Sequence, residues 1–364
     1  MKYRINKHIG DQILPVDIVL SPEWWHKHEG ITFDQDFFYH PKKRVEVEQQ
    51  MEKILFNRWG RYDMGQLKDQ GKPEIGAVHL AAGFLLSEMM GCRVDYSDNH
   101  PPQVIPARRE DLIIDNEEVF KSGAFKKLLN LWEALKTKYG YLTGDINWGG
   151  ILNLALDLRG EEIFTDMMLN PTETKKYFGK IAAVISAFTQ KISAETRSTS
   201  ISVNRVVRHL PKPVFLHSEC SHTMISVEDY EQFLMDFDLA WSNFRPFGIH
   251  YCGSDPHRMA ESFAKIPHLD FLDVGWGGDV KILRHYLPDT FLNIRLSPVE
   301  IINQTNDEIS KTITRLVNDS GNPFLTGVCC INMDDKVGED KIETIFKTVE
   351  TLKKTYIKEI QKNA

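Results

Sequence analysis

The sequence predicts an α/β protein, a (β/α)8 TIM barrel with an elaborated N-terminal half. Three observations point to it. Eight short apolar runs are spread along the chain, and the later ones are each followed by a helix-start signal and a longer amphipathic stretch. Polar and metal-binding residue types collect at the ends of these runs, where a parallel barrel keeps its active site. The 364 residues suit one such barrel, and neither a long Pro, Gly or Ser linker nor a self-similar repeat divides them. Residues 1–364 are therefore expected to form a single domain.

The expected strands are residues 17–21 (DIVLS), 77–83 (AVHLAAG), 140–146 (GYLTGDI), 213–219 (PVFLHSE), 247–253 (FGIHYCG), 269–276 (LDFLDVGW), 290–296 (TFLNIRL) and 322–329 (NPFLTGVC). Helix starts fit between them. Ser226 with Asp229 forms a capping-box pattern, and Val227, Tyr230, Phe233, Phe237, Trp241 and Phe244 then recur at helical steps. Thr305 with Glu308 makes a second box, before Ile309, Ile313 and Leu316, and Gly321 supplies a stop. Asn170-Pro171 and Asp255-Pro256 each place an N-cap residue before an N1 proline. From about Asp340, Ile342, Ile345, Val349, Leu352 and Tyr356 share one face of a last helix.

Composition excludes several functions. With 44 Lys+Arg against 51 Asp+Glu the formal charge is -7, so no broad positive field attracts a phosphate backbone. Pro41-Lys42-Lys43-Arg44 reads as the solvated start of a helix, and no nucleic-acid partner is expected. The N-terminus lacks the apolar core of a signal peptide, and no apolar run approaches membrane-spanning length. Five cysteines, an odd number thinly spread, suit a reducing cytoplasm better than a disulfide framework. Of these, Cys92 reads as a buried core thiol.

Chemistry gathers at the strand ends. The third strand ends in Asp145, with Asn147 and Trp148 beyond it; the fourth in His217-Ser218-Glu219-Cys220; the fifth in His250-Tyr251-Cys252; the sixth in Asp273, followed by Trp276; the seventh in Arg295; the eighth in Cys329-Cys330. In a strand, residues i and i+2 point to the same side, so His250 and Cys252 would present their donor atoms together. Either Cys329 or Cys330 could join them. Imidazole with two thiolates suits zinc, and three protein ligands leave a fourth position open, as catalysis requires. A His-x-Cys pair also arises by chance, and its place at a strand end is what favours the metal. Trp148 and Trp276 stand in glycine-rich loops as candidate pocket walls, whereas Trp24, Trp25, Trp59, Trp132 and Trp241 read as packing residues. No dinucleotide, P-loop or nucleophile-elbow motif is present.

Longer stretches carry a family resemblance. Ala81-Ala82-Gly83 through Met90-Gly91-Cys92-Arg93-Val94-Asp95-Tyr96 is similar to a segment ending "EALGCEVDFG", Thr143-Gly144-Asp145 to a "GPFTLA" region, and Ile225 through Phe233 to "LISPEDYEEF". His250-Tyr251-Cys252-Gly253 resembles "HICG", and Thr326 to Glu339 resembles "SPGCGLPPDTPLE". These are segments of the uroporphyrinogen decarboxylase superfamily, and within it of the zinc-dependent corrinoid methyltransferases typified by methylcobalamin:coenzyme M methyltransferase. The resemblance spans roughly residues 40–355.

It implies zinc on His250, Cys252 and Cys330, because gapless matching through Asp335 and Glu339 sets Cys330 on the ligand position with Cys329 beside it. It implies methyl transfer between a corrinoid, as methylcobalamin or on a partner protein, and a small thiol or other small methyl donor or acceptor. Glu219, His217 and Asp273 are then the expected catalytic side chains, and Asp145, Asn147, Trp148, Trp276 and Arg295 the expected substrate contacts. Glu219-Cys220 stands where the family shows "DP", and Ile294-Arg295-Leu296-Ser297-Pro298 where it shows "GNVDP", so the pocket differs from that of the coenzyme M enzymes. Two alternatives stand beside this reading. One is a decarboxylase of the same superfamily, whose arginine-rich signature Arg58-Trp59-Gly60-Arg61-Tyr62 echoes superficially. The other is a non-catalytic small-molecule-binding barrel.

Overall fold

The structure is a computed structural model that describes residues 3–68, 70–76, 83–198 and 213–362. The chain divides into two compact units, one of Met1–Trp24 with Asn204–Ala364 and one of Trp25–Val203. Eight strands form among the described residues: β1 (Val16–Leu20), β2 (Arg93–Asp95), β3 (Gln103–Ile105), β4 (Phe215–Ser218), β5 (Phe247–Tyr251), β6 (Leu269–Val274), β7 (Phe291–Arg295) and β8 (Thr326–Met333).

In the first unit six of them make one parallel sheet in the order β1-β8-β7-β6-β5-β4, which curls as a half-barrel among helices. β4, β5, β6 and β7 are buried along their whole length, as parallel strands covered on both sides must be. Of the eight strands expected of a closed barrel, six pair in one sheet among the described residues, with β1 and β4 outermost in that order. Of the two missing strands, residues 77–82 lie outside the described residues, and 140–146 form none. Gly140 caps the preceding helix at φ 78° and Gly144 sits at φ 84°, so left-handed glycines bracket a segment whose single bridge joins Thr143 to Glu74.

The last strand also starts later than its apolar pattern suggests. Asn322 turns the chain first, its Oδ1 accepting from the Phe324 N–H and its carbonyl from the Leu325 N–H, so β8 begins at Thr326 and Cys329 and Cys330 lie within it. Both capping boxes form as read, at Ser226/Asp229 and Thr305/Glu308. The amphipathic stretch after Ser226 breaks at Leu234 into two helices, Val227–Phe233 and Met235–Trp241, and buries Asp238 against Tyr230 and His217. The final helix, Glu339–Lys362, buries Ile342, Ile345, Phe346 and Val349 and bonds to the helix Asn306–Ser320 through Thr348 and Ser310, 2.9 Å apart.

The second unit is helical, with the antiparallel pair β2–β3. Phe33, Phe37 and Phe38 lie in its core and, with the half-buried Phe84 and Tyr96, make edge-to-face and tilted contacts. Pro41 does open a helix, Pro41–Trp59, but Arg44 is not on its solvated face: it is fully buried, paired with Glu48 and lying 4.6 Å from the Phe37 ring centre. Cys92 is a core thiol as expected, bonded to the Asp157 carbonyl at 3.3 Å. Among the described residues no helix is long and apolar enough to cross a membrane.

The Thr305 box gives a direct check on the helix starts. Thr305→Ala removes a cap on the Asn306–Ser320 helix, and we expect a loss of about 1 kcal/mol with the fold retained, measured by urea denaturation.

Candidate metal centre

The parallel register of the first unit sets the site. His250 pairs with Asp273, Asp273 with Asn293, and Arg295 with Cys329, so one row of polar side chains crosses β5, β6, β7 and β8 on the same side. Asp273 anchors the row. Its Oδ2 makes a short contact with His250 Nδ1, and its Oδ1 accepts from Asn293 Nδ2 at 3.1 Å. Asn293 Nδ2 also reaches Cys329 Sγ at 3.3 Å. With Nδ1 held by the carboxylate, His250 keeps Nε2 for a ligand.

Two thiols converge on that imidazole. The donor atoms of Cys220, His250 and Cys252 all lie within 4.8 Å of one another, and these three form the candidate metal group among the described residues. Cys220 opens the 3-10 turn Cys220–Met224 that follows β4. Arg258 braces this turn, its guanidinium donating to the carbonyls of His222 (2.5 Å) and Ile225 (2.7 Å). Cys252 follows β5 directly. A Cβ at Gly275 would lie 1.8 Å from the Gly253 carbonyl oxygen, so the β6 loop reaches the backbone beside Cys252 only because position 275 is glycine.

The electrostatics prepare this group unequally. The Cys220 hydrogen bond lowers the Cys252 thiol to about 4 against the opposing effect of burial, with His250 and Arg295 assisting. The same hydrogen bond, together with burial, drives Cys220 well upward. One thiolate and one thiol thus share the site. Burial pushes the His250 ring down, and the charge and hydrogen bond of Asp273 more than reverse this, leaving it raised.

Cys330 is not part of this three-residue group. It is fully buried, and burial pushes its thiol up to about 12. Adjacent strand residues face opposite ways, and Cys329 is the one that meets Asn293, so Cys330 points to the other side of β8. The group thus shares His250 and Cys252 with the expected donor set and has Cys220 where that set has Cys330. A cysteine directly after a strand that neighbours β5 was the signal in the sequence.

The other expected site residues divide between the units. In the first, His217 turns toward the helices, with Nδ1 2.7 Å from Asp238 Oδ1, Nε2 3.7 Å from Glu219 Oε2 and the Trp241 ring 5.0 Å away. Glu219 is fully buried, and its Oε1 accepts from the Ser221 N–H. Arg295 ends β7 with Nη1 3.4 Å from His250 Nε2, and its guanidinium lies 5.4 Å from the centre of the Trp276 ring. A cavity of about 360 Å³ adjoins them, lined by Trp276, Arg295, Ser297, Glu300, Ile313 and Arg315 among others. His222, not singled out in the sequence, is fully buried and stacks on Tyr251 at 5.6 Å. In the second unit, Asp145 Oδ2 accepts from Ser198 Oγ at 2.7 Å, and Asn147 lines a small cavity with Phe38, Tyr39 and Arg44. Trp148 is buried there, its backbone packed against Gly83.

The fold is similar to that of a solved methyltransferase from Methanosarcina mazei, with a TM-score of 0.61 over 94% of this chain and 95% of that chain at 13% identity. No family model and no curated protein matches the sequence.

The uneven thiols predict selective chemistry in metal-free protein. A group lowered to about 4 is thiolate above that pH and loses its charge as pH falls through it, whereas Cys92 is raised to about 11 and Cys330 to about 12. Iodoacetamide at pH 6 is expected to alkylate Cys252 first, read by peptide mass spectrometry. First labelling at Cys92 or Cys330 would contradict the geometry.

Proposed function

We propose that the chain is a zinc-dependent methyltransferase that moves a methyl group between a corrinoid and a small thiol or other small methyl donor or acceptor. The observation that carries this reading is the convergence of Cys220, His250 and Cys252 donor atoms within 4.8 Å. The donor set fits the ion: two sulfurs and an imidazole suit zinc, the imidazole has the outer carboxylate that zinc-binding histidines characteristically carry, and three ligands leave a position for substrate. The H-x-C spacing, the resemblance to corrinoid methyltransferases and a fold shared with a methyltransferase support the same direction.

Bound zinc supplies Lewis acidity that lowers the pKa of a coordinated thiol and holds the thiolate for reaction with a methyl group. The side chains divide the remaining work. Asp273 holds the proton on His250 Nδ1, which leaves the lone pair on Nε2 and orients the ring. Cys252 enters the site already as thiolate, while Cys220 must release its proton on loading. Glu219, adjacent to Cys220 and in line with His217 and Asp238, is assigned the proton of the incoming thiol at Oε2. Trp276 and Arg295 form the substrate wall on the β7 side. Asp145, Asn147 and Trp148 are assigned as further substrate contacts. The corrinoid is taken to come as methylcobalamin or on a partner protein in the cytoplasm.

Purification without chelator should give about one zinc per chain, and methylcobalamin demethylation against a panel of thiols should reveal the acceptor. Cys252→Ala is expected to lose the zinc and the activity together. Asp273→Asn should weaken zinc by about 10–100-fold with the ligands themselves untouched. A metal-free protein whose activity is indifferent to EDTA would overturn the proposal.

A further inference from the structure

Arg295 is a buried cation that no carboxylate contacts directly among the described residues. It is 6% exposed, its Nε has no hydrogen-bond partner, and among the described residues it forms no ion pair. Such a group is costly to bury unless something else compensates it. The groups facing it are the Asp273 carboxylate, the Cys252 thiolate and the Cys220 and Cys329 thiols. Asp273 is engaged on the Nδ1 side of the His250 ring, whereas the guanidinium lies on the Nε2 side, 3.4 Å from that nitrogen.

This placement competes with a metal. A zinc–imidazole bond is about 2.0–2.1 Å, so an ion in line between Nε2 and Nη1 would be left about 1.3 Å from the guanidinium, which is impossible. The arginine must withdraw when Nε2 is taken. The room is there: the cavity of about 360 Å³ begins at Arg295 and Trp276, and the Trp276 ring already lies 5.4 Å from the guanidinium.

We propose that Arg295 is a counter-ion displaced by the metal, which caps the ligand nitrogen of His250 in the metal-free protein and, once moved, makes the loaded centre select an anionic donor at its open position. The inference rests on the metal reading given above. A divalent ion with two thiolates and a neutral imidazole carries no net charge, so the nearest unpaired charge on the substrate side is the guanidinium. A donor that becomes an anion on binding there, such as a thiol that has given up its proton, is stabilised by the guanidinium, and a donor that stays neutral is not. Specificity for the charged form of the substrate thus comes from the β7 end, not from a ligand.

Cobalt(II) in place of zinc makes the centre visible through its ligand-field bands. Wild type, Arg295→Gln and Arg295→Lys would be titrated with cobalt, then with 2-mercaptoethanol, a thiolate donor with an uncharged tail, and with imidazole, a neutral donor. Arg295→Gln is expected to bind cobalt at least as tightly as wild type, to lose about tenfold or more in affinity for 2-mercaptoethanol, and to hold imidazole within about twofold. Arg295→Lys should fall between. Equal effects on both donors, or none on either, would overturn the proposal while leaving the metal centre intact. Absence of cobalt bands in wild type would sink both together. Should Arg295→Gln not fold, wild type and Trp276→Phe decide: zinc should change the fluorescence of wild type and not of Trp276→Phe, and an identical response in the two would reject the displacement.

Discussion

The contact between Asp273 and His250 is the constraint on which the first unit's chemistry depends. It joins two neighbouring parallel strands at the same register position, both side chains fully out of water. A buried carboxylate is costly alone, and here it is held by the imidazole and by Asn293. The bond settles which nitrogen His250 offers, and the sheet register then decides which side chains stand near it. Cys220, Cys252 and Arg295 come from the ends of β4, β5 and β7 and meet at that nitrogen.

The row across β5 to β8 explains why strand ends in this sheet carry so much polarity without loss of packing. Hydrophobic residues occupy the alternate positions, with Ile249, Leu272, Ile294 and Val328 all buried. The polar row is satisfied mostly from within. On the helix side a second buried group, Tyr230, Asp238, His217 and Glu219, backs the turn that carries Cys220. The break at Leu234 serves this arrangement, since it lets Asp238 face His217 and Tyr230 at once.

Much of this was legible in the sequence. The i, i+2 spacing placed His250 and Cys252 together because strand geometry leaves little choice, and six of the eight apolar runs became parallel strands. The capping boxes fixed two helix starts because their bonds are local. What escaped depended on less local facts. Residues 140–146 are apolar enough for a strand, but Gly140 and Gly144 adopt left-handed backbone that the hydropathy pattern does not register. Matching the tail without gaps set Cys330 on the ligand position, and since strand sides alternate, one residue of register separates it from the side on which Cys329 meets Asn293. Cys220 was visible as a strand-end thiol, but its convergence with β5 depends on the turn that Arg258 braces from beyond β5.

The approach of Gly275 to Gly253 has a wider consequence. It fixes the height of the Cys252 loop through main chain alone, with no side chain as intermediary. Neighbouring side chains such as Trp276 and Arg295 can therefore change over evolutionary time without moving the cysteine. The β6 and β7 ends could vary in this way while the main-chain approach between positions 253 and 275 stayed the same.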